Sequence, residues 1–116
     1  MVKETIYFTA DDEQGLARKS ELKQFSVGTI NYLYAQFDLP AAWREFESLR
    51  AVWFTDYTQE SSIIDESGLT AIPQEVLTKP GTLRVNLCGV NYNNGKLWQR
   101  VTTYPVEVLK LRCTNV

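Results

Sequence analysis

Three acidic groupings are the residues of this chain with the most obvious chemical reach: Asp11-Asp12-Glu13, Glu45 with Glu47, and Asp65-Glu66. Paired carboxylates can hydrolyse a glycosidic bond when they stand on opposite sides of it, and nothing in these short spacings sets them apart that way. Asp11-Asp12-Glu13 offers oxygen ligands of the kind calcium takes, but it lacks the spaced ligand pattern of a calcium loop. Solvated loop carboxylates are the economical reading of all three groups. Histidine is absent from the chain. That removes the commonest general base and metal ligand, and every Ser-His or Cys-His dyad. Cys88 and Cys113 are too far apart in sequence for a zinc pattern, and no glycine-rich phosphate loop occurs. The expectation is a protein without catalytic residues, bound metal or cofactor.

Aromatic side chains are the next candidates. Three Trp, six Tyr and five Phe supply burial efficiently in a small domain, so Phe8, Phe37, Phe54 and Trp43 are expected in the core. Tyr92 and Trp98 flank an Asn-Gly pair, and they and Tyr104 are the candidates for exposure. Exposed aromatics can stack on sugar rings or anchor a protein interface. Cross-strand packing is the simpler account of the pair beside the hairpin.

The 116 residues are expected to form one domain, 1–116, large enough to bury roughly two-thirds of its unfolded surface without staples. The composition is ordinary for a globular protein, with 44% hydrophobic and 22% charged residues. Net charge is -2, and acids and bases are mixed along the chain. There is no basic stripe for nucleic acid and no polybasic cluster for anionic lipid. No signal core or membrane-length apolar run is present, so a cytoplasmic setting and free thiols are expected. A cross-strand disulfide between Cys88 and Cys113 stays open.

The elements that would position these residues are short strands. Glu4 to Thr9, Ile30 to Leu39, Arg50 to Tyr57, Leu69 to Ile72, Thr82 to Val90, Lys96 to Thr103 and Val106 to Arg112 alternate or carry strand-forming residues. Lys19 to Phe25 and Ser62 to Ile64 are weaker strand candidates, and Ala10 to Arg18 reads as a loop. Leu83, Val85 and Leu87 should face the core, opposite Arg84, Asn86 and Cys88. Asn94-Gly95 marks a tight hairpin, and Asp65 to Gly68 marks another reversal. Helix is confined to single turns at Ala41 to Leu49 and at Gln74 to Leu77, where Pro73 opens the turn. The fold class expected is all-β, an antiparallel sandwich of immunoglobulin or jelly-roll kind with one or two short helical turns.

The last strand poses a question of parity. If Val106 and Val108 face the core, strict alternation turns Leu109 and Leu111 outward. An outward apolar row near a chain end marks a contact with another chain. A β-bulge would shift the register and bury both leucines instead.

Several segments, taken in order, resemble a known family. They are Gly28-Thr29-Ile30-Asn31-Tyr32, Phe37-Asp38-Leu39, Ala41-Ala42-Trp43, Leu49 to Phe54, Ile72-Pro73-Gln74-Glu75-Val76-Leu77, Gly81, Leu87-Cys88-Gly89-Val90 and Val101 to Val106. The set is similar to the N-terminal β-sandwich domain of baseplate upper proteins and minor tail proteins of tailed phages and prophages in Gram-positive hosts. That resemblance implies a non-enzymatic virion module, assembled in the host cytoplasm, that docks onto other tail proteins or onto itself as an oligomer. The family usually carries a coiled or receptor-binding region as well. Here the sequence stops at Val116, as a stand-alone adaptor or an excerpt of a longer protein would. The competing reading is a carbohydrate-binding module that uses Tyr92, Trp98 or Tyr104 as a sugar platform.

Overall fold

The structure, a computed structural model, describes residues 3–29 and 32–113. Among these residues ten strands make two packed sheets. They are β1 (Glu4–Ala10), β2 (Leu16–Arg18), β3 (Gln24–Ser26), β4 (Leu33–Asp38), β5 (Ser48–Phe54), β6 (Gln59–Ile63), β7 (Leu69–Ala71), β8 (Gly81–Asn93), β9 (Lys96–Thr102) and β10 (Val106–Arg112). The smaller sheet runs β2-β1-β4-β7; the larger runs β3-β10-β8-β5-β6, with β9 also paired to β8. Among the described residues helix is limited to α1 (Ala41–Arg44) and a 3-10 turn at Gln74–Leu77. The all-β sandwich expected from period-two alternation is therefore present. Two pairings are parallel, β1 with β4 and β3 with β10; the others are antiparallel. A parallel pair leaves no hairpin signal in the sequence, because its strands are joined by a long crossover rather than a tight turn. The expected strand position Ile30 lies outside the described residues.

Alternation fills the space between the sheets. Ile6, Phe8 and Ala10 from β1 and Leu33, Ala35 and Phe37 from β4 meet Ala51, Trp53, Leu83, Val85 and Leu87 from the larger sheet. Phe8 and Phe37 are register partners and stack at 4.9 Å, and Phe37 reaches across to Trp53 at 6.4 Å. Trp53 Nε1 donates to Ser62 Oγ at 2.9 Å, which also accepts from Thr70 Oγ1 at 2.7 Å. A buried indole thus finds its acceptor where the two sheets approach. Trp43 is buried as expected and donates to the Asp11 carbonyl at 2.7 Å. Phe54 is a correction: it is half-buried on the outer face of the larger sheet, because its neighbour Trp53 takes the inward position on β5.

Leu109 and Leu111 are the second correction. They are 0% and 4% exposed and belong to the core. Val106 pairs with Val85 and Glu107 with Arg84, but Leu109 then pairs with Leu83, so Val108 is an extra residue in β10. That bulge resets the parity and turns Val108, Leu109 and Leu111 all inward. The candidate interface at Leu109 and Leu111 is therefore packed inside the sandwich. The stretch expected as a loop, Ala10 to Arg18, holds β2 as well; three residues are too few to show alternation.

A candidate docking surface on the β8–β9 arm

β8 is the longest strand, and it changes partner along one edge. Residues 81–85 pair with β10, and residues 88–93 pair with β9. β9 and β10 thus form one interrupted strand, broken at Thr103 to Pro105. The buried Thr103 bridges the break: its amide donates to the Leu87 carbonyl at 3.0 Å, and its hydroxyl accepts from the Leu87 amide at 2.8 Å. Beyond Val90, where the pairing of β8 with β5 ends, β8 and β9 continue as a two-stranded arm. Its turn is the expected Asn-Gly type, with φ of 53° at Asn94 and 77° at Gly95. Both central residues are left-handed, which matches the twist of the flanking strands.

The outer face of the larger sheet carries a groove of about 460 Å³ along the base of this arm. Register builds it in rows. Ser48 stands opposite Val90, and Val90 opposite Arg100; Arg50 stands opposite Cys88, and Cys88 opposite Thr102; Val52 stands opposite Asn86. Phe54 and Tyr92 close its ends. Arg50 and Arg100 are its charged residues, and no acid lines it. Asn86 Oδ1 is buried with no hydrogen-bond donor among the described residues. Glu107 shares the same sheet but sits 3.8 Å from Arg84.

The candidate aromatics are distributed rather than gathered. Tyr92, Trp98 and Tyr104 are 45%, 61% and 69% exposed. Tyr92 lines the groove. Trp98 is the unpaired residue of a bulge in β9, where Asn91 pairs with Gln99 and Tyr92 with Leu97. Tyr104 lies at the break between β9 and β10, its amide bonded to the Gln14 carbonyl. Trp98 and Tyr104 are separated by an extended stretch of about 20 Å, so the three rings make no single platform. The exposed Leu97 adds to the apolar surface near the tip.

The acidic groups have local work. Asp65 Oδ1 accepts from the Ser67 hydroxyl at 2.6 Å and from the amides of Ser67 and Leu69. The Ser67 hydroxyl first, and then the Leu69 amide, hold its carboxyl below the ordinary aspartate range. Asp11 Oδ1 likewise accepts from the amides of Glu13 and Gly15 and closes the β1–β2 loop. Among the described residues no group of three or more His, Cys, Asp or Glu side chains is placed to hold a metal. Cys88 is half-buried, Cys113 is exposed, and both are free thiols. Among the described residues no helix is long and apolar enough to cross a membrane.

No protein-family model and no curated protein matches the chain. Among solved structures, the N-terminal domain of phage TP901-1 ORF48 superimposes with a TM-score of 0.55, at 12% identity, over 96% of this chain and 98% of that one. The fold is that of the ORF48 N-terminal domain. Coverage of nearly both whole chains makes it a match of complete domains. At such low identity the ORF48-type sandwich is what the two share. Arg100 and Asn86 carried no motif in the sequence, and Arg50 and Val52 entered only within a resemblance segment, not as site residues. The alternation of Arg84, Asn86 and Cys88 against the core face, continued through the Asn-Gly turn onto Arg100, is the pattern that could have shown them.

Proposed function

We propose that this chain is a non-enzymatic docking module of a phage or prophage tail baseplate, held in the virion by protein–protein contacts and assembled in the host cytoplasm. The carrying observation is the ORF48-type fold, shared over nearly the full length of both chains with a phage domain. The ordered segments that resemble baseplate upper proteins support the same reading. So do the structural duties of Asp11 and Asp65, which spend their carboxylates on backbone amides rather than on a cleft. The partners are other tail proteins. Antibody labelling of phage particles that carry the gene tests this. Label at the tail tip, and loss of it from particles made without the gene, is the expected result. Particles that lack the protein, or carry it only in the head, would overturn the proposal.

A further inference from the structure

The two sides of β9 carry opposite charge. Alternation puts Arg100 and Thr102 into the groove on the outer face, while Gln99 and Val101 face the other way. There they line a second cavity, of about 270 Å³, with Trp43, Phe46, Asp12, Glu13 and Glu45. The groove holds two cations and no acid; the cavity holds three acids and no cation. The ion pairs among the described residues are Lys23 with Glu4 and Arg84 with Glu107, so none of these five charges is neutralised within the chain. Each surface also has apolar ground beside its charges, Val52, Phe54 and Val90 on one side and Phe46 and Val101 on the other. They lie back to back across the arm.

We propose that this face pair joins copies of the chain head to tail: the Arg50/Arg100 groove of one copy receives the Asp12, Glu13 and Glu45 rim of a second. The chain itself carries the complement that the groove requires in sign, and in a mixed apolar and charged character. Opposite charges brought together at a contact that excludes water attract more strongly than exposed pairs. Because donor and acceptor surfaces differ, the contact is heterologous, and it either closes into a ring or runs on. The inference rests on the docking reading for its biological setting. Its experiment needs only the isolated chain, so a failure here is distinct from a failure to find the protein on tails.

Sedimentation velocity of the purified chain at about 0.01 M and about 1 M salt, where the screening length is about 30 Å and about 3 Å, reads the contact directly. The wild-type mass should rise with concentration at low salt and return to the monomer at high salt. Arg50→Ser/Arg100→Ser and Asp12→Ser/Glu13→Ser/Glu45→Ser should each be monomeric alone, since each keeps only one competent face. Their equimolar mixture should form a one-to-one dimer and nothing larger, and Arg50→Lys/Arg100→Lys should associate like wild type. The substituted residues are exposed, and dichroism checks each fold; if a serine variant is disturbed, a single charge reversal on the same face replaces it, Arg100→Glu for the groove or Glu45→Lys for the acidic rim. A wild type that stays monomeric at low salt up to about 1 mM, a serine variant that still associates alone, or a mixture that stays monomeric overturns the proposal.

Discussion

Thr103 fixes the point where β8 changes partner from β10 to β9. Its hydroxyl is the acceptor for the buried Leu87 amide, and Thr103→Val keeps the shape while removing that acceptor. The orphaned donor should cost about 1–3 kcal/mol, measurable by denaturant unfolding. Leu87 has no exposed surface, and Leu87→Ala should cost about 2–5 kcal/mol. Leu109→Ala should cost the same order, and a melt that moves by less than about 0.5 kcal/mol would return Leu109 to the surface. Asp65 makes a pH-dependent contribution. Its carboxyl is depressed by the Ser67 and Leu69 hydrogen bonds, so it favours the folded chain above its unfolded pKa of about 4 and loses that effect as pH falls through the lower folded value. Asp65→Asn should flatten the acid limb of the melting curve below about pH 4, as paired thermal melts would show. Inward positions such as Leu83, Val85 and Leu87 were legible because alternation holds without interruption through β8. Leu109 and Phe54 were not, since each depends on a choice between adjacent large residues that a bulge or an indole settles.

β8 and β9 are joined by chemistry that local sequence does carry. Asn94-Gly95 specifies the turn, and Gly95 at φ of 77° tolerates no side chain without strain. Gly95→Ala should add about 1 kcal/mol of strain, confined to the arm. Hydrogen exchange should quicken at the Val90 to Arg100 amides and stay slow at Leu83 to Leu87. Gly89 serves a different need. A Cβ there would lie 2.6 Å from the Phe46 ring, so a larger residue at this point of β8 requires the ring to shift. Gly89→Ala should cost about 1–3 kcal/mol through overpacking. Phe46→Leu should recover part of that, giving a double-mutant coupling of at least about 0.5 kcal/mol. Equal, additive effects would mean that the ring moves aside freely. The β8–β9 hairpin and the single helical turns were readable because their signals lie within a few residues. The β1–β2 and β5–β6 hairpins, without an Asn-Gly turn, were not, and the Asp65 to Gly68 reversal joins β6 and β7 of different sheets rather than closing a hairpin. The parallel pairs β1–β4 and β3–β10 were not, because partners distant along the chain leave no mark in either segment.

The chain as a body measures 53 × 27 × 25 Å, elongated for its length. Its far-ultraviolet dichroism should be strand-dominated, with helix limited to two single turns; a helical spectrum would contradict the fold. The all-β class was legible in the sequence and the opposed charges of the arm were not, because Arg50 and Arg100 become neighbours only once β5 and β9 flank the same strand. That central strand has a mechanical consequence. β8 is bonded on one side to β5 along Arg84 to Val90 and on the other to β10 and then β9. A pull on the Asn94-Gly95 tip, directed away from the sandwich, runs parallel to β8 and across its hydrogen bonds. Those bonds are loaded together in shear instead of being peeled one after another. A domain wired this way can transmit tension from whatever grips its tip into the full width of the larger sheet before any part of it gives.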